Sequence, residues 1–218
     1  MAEVTAAQVK QLRDVSGAGM MDCKKALVAN GGDLEKAKDW LREKGLARAA
    51  GKAGRSTHEG AIGHYLHTSG GLAKLGVLVE VNCESDFVAK TDDFKELAHD
   101  LAIQVAGANP QYVRREEVPA ALVEREKAVY RRQVEGKPAN IIDKIVEGKL
   151  EAFFGEICLV DQVYVRDESR KKKVRELISE KVAKLGENIT VARFARVAVG
   201  EAADEAAGEN GAAAPASS

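Results

Sequence analysis

The stretch from Val77 to Phe94 constrains this chain more than any other. Val77, Val79, Val81 and Cys83 alternate with Leu78, Glu80 and Asn82, which predicts a strand with its β-branched residues on one face. Thr91-Asp92-Asp93-Phe94 then reads as a helix start, with Thr91 as N-cap and two acids in the first turn. Phe94, Leu97, Ala98, Leu101, Ala102 and Val105 follow at helical spacing. Between strand and helix sits Asp86-Phe87, a carboxylate beside a large apolar ring. Surface corners on rigid supports often carry function. On spacing alone, however, a phenylalanine there is expected to tuck under the corner as a local core residue.

The remaining segments add helices around that unit. Thr5 with Gln8 predicts a capping box and Val4 with Val9 a hydrophobic staple. Val9 and Leu12 face one way on a first helix, stopped by Gly17-Ala18-Gly19. A second helix places Met20, Cys23 and Leu27 at helical spacing, with one of Met20 and Met21 expected in the core. Asp33 caps a third, with Leu34, Ala37, Trp40 and Leu41 inward and Gly45 as the expected stop. Residues 1–46 thus form a helical N-domain, a docking module rather than a catalyst, and 47–59 a linker. Residues 60–200 make an α+β core. Ala61–His67 and the strand after Leu72 flank a Gly70-Gly71 turn, giving a hairpin that Ile189–Val199 extends to a three-stranded antiparallel sheet. Prolines at 119 and 138 open two helices of a hairpin spanning about 118–155. Ile157–Val160 and Val163–Val165 read as extended, and Arg170–Lys173 as the basic first turn of a further helix. Residues 201–218 are mostly Ala, Gly, Glu, Pro and Ser with almost no large apolar side chain, so a disordered tail is expected.

Composition narrows the function classes. Of 218 residues, 45% are hydrophobic and 31% charged, enough apolar residues for a core. A net charge of −1 gives no overall basic field for direct nucleic-acid binding. No apolar run approaches the ~20 residues that span a bilayer, and the N-terminus has no secretory pattern, so the cytosol is the expected location. Gly17-Ala18-Gly19 lacks the Gly-Lys-Ser/Thr of a phosphate loop. His64 and His67 point to opposite faces of a strand, and His58 and His99 lack partners at metal-site spacing. Cys23, Cys83 and Cys158 match no zinc spacing. Cys83 is the best candidate nucleophile, but Glu84 and Asp86 beside it disfavour the thiolate, and it continues the apolar face of its strand. No catalytic residue, cofactor or metal is therefore expected. A binding role remains, such as an adaptor working through its N-terminal bundle, with a thiol enzyme on Cys83 as the less favoured alternative.

Val81-Asn82-Cys83-Glu84-Ser85-Asp86-Phe87-Val88-Ala89-Lys90 resembles the signature of the elongation factor Ts family, nucleotide exchange factors for elongation factor Tu. Leu12-Arg13-Asp14-Val15-Ser16-Gly17-Ala18-Gly19-Met20-Met21-Asp22-Cys23-Lys24-Lys25-Ala26-Leu27 resembles the family's N-terminal signature. The two stand in the expected order, and the likeness runs from about Val4 to Gly200. Ser85 replaces the usual threonine but keeps a hydroxyl; Val15-Ser16 replaces a basic residue and threonine. The resemblance implies a ubiquitin-associated-like N-terminal bundle, a protruding helical hairpin and the short form with a single core subdomain. Such short forms pair as homodimers through their sheets. It also implies that Asp86 and Phe87, with Ser85, Val88, Ala89 and Lys90 around them, enter elongation factor Tu beside its magnesium and phosphate site. Val15, Met20 and Met21 lie in the signature that docks on the same domain. The nucleotide would be bound only by the partner.

Overall fold

The computed structural model describes residues 4–136 and 138–201. The fold is α+β: eight α-helices among those residues and one three-stranded antiparallel sheet.

Three helices open the chain: α1 (Ala6–Ser16), α2 (Met20–Ala29) and α3 (Leu34–Ala50). The Gln8 N–H donates to the Thr5 hydroxyl at 3.3 Å and the Thr5 N–H to the Gln8 side chain at 2.9 Å, so both halves of the capping box form. Asp33 caps α3 by accepting the Lys36 N–H at 3.0 Å. Val9, Leu12, Cys23, Ala26, Leu27 and Ala37 form the buried centre of this bundle, with Trp40 and Leu41 packed against it. Gly45 does not stop α3, which runs on to Ala50. A Cβ on Gly45 would lie 3.5 Å from that of Ala183, so the glycine marks where α3 packs on α8 (Val174–Leu185). That packing offsets the roughly 1 kcal/mol a helical glycine costs. The first residues of the segment read as linker are therefore helix, and Ala49 belongs to the main core.

The sheet contains β1 (Glu59–Ser69), β2 (Leu72–Cys83) and β3 (Ile189–Ala198), in that order. Gly70 and Gly71 join the first two with φ of 59° and 78°, a pair of left-handed residues that suits a tight hairpin. Val77, Val79, Val81 and Cys83 are buried against α5 (Asp92–Ala108) and α8, among Phe94, Leu97, Leu101 and Leu177. The Thr91 hydroxyl accepts the Phe94 N–H at 3.3 Å, the cap expected for α5.

Helices α6 (Ala120–Gln133) and α7 (Ala139–Ile157) start after Pro119 and Pro138 and pack on each other as the expected hairpin. Its root is a cluster of Val118, Ile157 and Cys158 with Leu122, Val123, Phe153 and Phe154. Arg115 grips Glu151 of α7 and the buried Asp161 with two hydrogen bonds each. Of residues 157–160 only Cys158 is extended, in an isolated bridge to Tyr112; α7 continues through Ile157 and a 3-10 turn spans Leu159–Asp161. A short apolar run reads alike as strand or buried helix end. Val163 makes one isolated bridge, to Lys173. The basic run also falls differently, since α8 begins at Val174 and Arg170–Lys173 precede it. The cations thus lie at or before the cap, and Glu176, an acid that suits the first turn, accepts the Lys173 N–H at 3.1 Å. The expected tail, beyond residue 201, lies outside the described residues.

Candidate functional site

At the end of β2 the chain turns through Ser85, extended at φ −133°, into a single helical turn, α4 (Asp86–Ala89). The Ser85 hydroxyl accepts the Val88 N–H at 3.4 Å. The Thr91 hydroxyl donates to the Val88 carbonyl at 2.8 Å while capping α5. One hydroxyl thus closes each end of the corner. Val88 and Ala89 are 5% and 9% exposed and pack into the main core, whereas Phe87 is 77% exposed. The ring does not tuck under, as spacing alone suggested. Adjacent helical residues point about 100° apart, and Val88 and Ala89 occupy the inward directions, so Asp86, Phe87 and Lys90 face out. Lys90 donates to Asp86 at 2.5 Å, one helical turn away. That bond holds the Asp86 carboxyl below the usual carboxylate range and raises the Lys90 ammonium. Both groups are exposed, so the pair is screened and readily exchanged for another partner.

The corner is tied to the start of β3. Glu187 accepts the Glu84 N–H at 3.1 Å, the Ser85 N–H at 2.9 Å and the Ser85 hydroxyl at 2.6 Å. In return the Glu84 carboxylate accepts the Asn188 N–H at 2.6 Å, and Arg55 pairs with Glu84 at 3.4 Å. Sequence reading missed Glu187 and Asn188. The available signal was Gly186, whose φ of 81° ends α8 and delivers 187–188 beside the end of β2, where Ile189 pairs with Cys83.

Cys83 is fully buried and its thiol donates to the Ser85 carbonyl at 3.1 Å. Burial, then the nearby Glu187, push the thiol up and disfavour the thiolate, and Cys83 packs in the main core. His67 meets the Tyr65 hydroxyl at 3.2 Å and His99 meets the His64 carbonyl at 3.0 Å.

On the bundle, Val15, Met20 and Met21 are 64%, 57% and 64% exposed. Neither methionine is in the core, because Cys23, Ala26 and Leu27 take the inward positions of α2. Met21 and Val28 line a shallow depression with Lys24, Lys25 and Ala29. Ser85–Lys90 therefore form one contiguous corner, while Val15, Met20 and Met21 lie on the separate helical bundle.

A family model described as "Elongation factor TS" matches residues 33–201, most of the chain. The chain belongs to the elongation factor Ts family. Elongation factor Ts of Coprothermobacter proteolyticus is 60% identical over 201 residues, covering 91% of this chain and all of the relative. Those of Syntrophomonas wolfei and Thermotoga maritima are 56% and 55% identical, again over 91% of this chain, and over 91% and 98% of their own lengths. Membership in the elongation factor Ts family implies a nucleotide exchange role on elongation factor Tu. No helix among the described residues is long and apolar enough to cross a membrane.

Proposed function

We propose that this chain releases GDP from elongation factor Tu by driving Phe87 into the partner's nucleotide-binding domain, next to its magnesium and phosphate contacts. The observation that carries the reading is an exposed aromatic ring on a turn whose next two residues, Val88 and Ala89, are buried and whose two ends are capped. A solvent-exposed phenylalanine gains roughly 1.5–3 kcal/mol on full burial. About 1.4 kcal/mol is a tenfold change in equilibrium, so one ring displacing a segment of the partner shifts nucleotide affinity substantially. Linkage requires that a factor binding the empty GTPase more tightly weaken the nucleotide by the same factor.

The other corner residues divide by orientation. Val88 and Ala89 anchor, Ser85 caps, and Asp86 exchanges Lys90 for donors on the displaced segment. Val15, Met20 and Met21 form an adaptable apolar surface that docks the bundle on the same GTPase. No covalent chemistry or cofactor belongs to this chain in such a scheme, and only the partner holds nucleotide. A second copy of the chain pairs through the sheet face turned away from α5 and α8, where Leu66, Leu78 and Val197 are exposed. The proposed setting is the cytosol, during translation elongation.

Release of fluorescent GDP from purified elongation factor Tu tests the wedge. Phe87→Ala is expected to slow stimulated release by about tenfold or more while its melting temperature stays near that of the parent, because the ring packs on little of its own chain. Unchanged release would remove Phe87 from the mechanism.

A further inference from the structure

We propose that Glu187 is a positioning residue for exchange: it stiffens the corner that presents Phe87. The inference rests on the wedge reading above. A helix of one turn, such as α4, cannot hold itself, because the nucleating turn fixes several dihedrals for a single hydrogen bond. Its stiffness must come from outside, and the β2–β3 ladder ends at Cys83 and Ile189, with Glu84 and Ser85 still to come before α4. Glu187 closes that gap. Oε2 accepts the Glu84 and Ser85 N–H groups and Oε1 accepts the Ser85 hydroxyl, so a single carboxylate fixes both peptides that lead into the turn.

The hydroxyl contact matters most. With its proton committed to Glu187, Ser85 turns a lone pair toward the Val88 N–H and caps α4. Glu187 therefore selects the Ser85 geometry that shapes the turn carrying Asp86 and Phe87. Its own backbone is held between the end of α8 and the start of β3. The Glu84–Asn188 contact braces the junction from the opposite direction, and Asn188 in turn donates to the Arg55 carbonyl at 2.8 Å. Force on the ring is passed through this clasp into the sheet and α8.

A double-mutant cycle tests the assignment, with fluorescent GDP release from elongation factor Tu measured over a range of exchange-factor concentrations. Glu187→Ala is expected to lower the saturating release rate about tenfold, in line with the loss of charge-assisted hydrogen bonds. The half-saturating concentration should move less than about twofold, because docking through the bundle is untouched. In a Phe87→Ala background the same change should matter less than about twofold, since the residue it positions is gone. Glu187→Gln keeps the size and part of the accepting capacity, so it should give an intermediate loss; it also decides the matter if Glu187→Ala fails to fold. Equal losses in the two backgrounds, or full activity in both Glu187 variants, would overturn the assignment. Normal release by Phe87→Ala alone would instead strike the wedge itself, an outcome visible before Glu187 is changed.

Discussion

Asp167 shows how much a single half-buried carboxylate contributes when backbone donors converge on it. It accepts the Lys172 and Lys171 N–H groups and the Ser169 hydroxyl, at 2.9, 2.8 and 2.7 Å. Those bonds hold its carboxyl at about 2, down from 3.8. The folded-state value is the depressed one, so the stabilisation is complete above 3.8 and fades as pH falls from there toward 2. Asp167→Asn should therefore be less stable than the parent near neutrality, with the difference shrinking on acidification. Urea midpoints of the two proteins at about pH 6 and about pH 3 check this; a constant gap would rule it out. Local devices of this kind were largely legible in the sequence. The Thr5, Asp33 and Thr91 caps need only a hydroxyl or carboxylate three residues from the N–H it accepts. Phe87 was not legible, because α4 is too short to show a period, and its outward direction is set by Val88 and Ala89 finding the core. Glu187 was not legible either, since its partner Ser85 lies 102 residues away in the chain.

Among elements, β1 and α5 approach closely at Gly63. A Cβ on Gly63 would stand 2.1 Å from the Ala98 carbonyl oxygen and 2.5 Å from its carbon, both backbone atoms that cannot swing aside. Gly63→Ala must push α5 off the sheet and loosen Phe94, Leu97 and Leu101, which pack there. A loss of about 3 kcal/mol is expected, the upper range for an overpacked core. Gly148 offers the contrast, since it lies inside α7 and a Cβ there meets nothing within 4 Å. Gly148→Ala should add about 0.5–1 kcal/mol through helix propensity and a less disordered unfolded chain. Urea unfolding of both variants decides, and a Gly63→Ala protein as stable as the parent would mean that α5 can ride higher than the structure places it. The same contact explains which elements the sequence predicts well. β2 and α5 carry clean periods of two and 3.6 because each has one buried side. Where burial comes from a distant element, local rules mislead. Gly45 continues a helix because α8 lies alongside it, and residues 157–160 are apolar because a helix end and a turn meet the core, not because they form a strand.

At the scale of the whole molecule, the sheet has one face under helices and one without any cover among the described residues. On the uncovered face Gly76 of β2 stands between Leu66 and Val197, and Leu78 between His64 and Ala195. Leu66, Leu78 and Val197 are 64%, 54% and 72% exposed. Apolar residues adjacent on three strands form a patch of the kind that marks an interaction surface, and a two-fold pairing would set each patch against its own copy. Leu78→Glu or Val197→Glu would then bring like charges together in an apolar interface and is expected to yield a monomer, read by light scattering or sedimentation against a parent of twice the chain mass. Leu78, the patch residue nearest the Phe87 corner along β2, and Cys83 are about 17 Å apart at the usual rise of a strand. The patch and the corner are thus separate regions of one sheet, and the corner's supports, Ser85, Thr91 and Glu187, all come from a single chain. A monomeric variant should therefore keep its GDP-release rate per chain within about twofold of the parent. A monomer that folds normally but no longer exchanges would show instead that the corner is completed by the second copy.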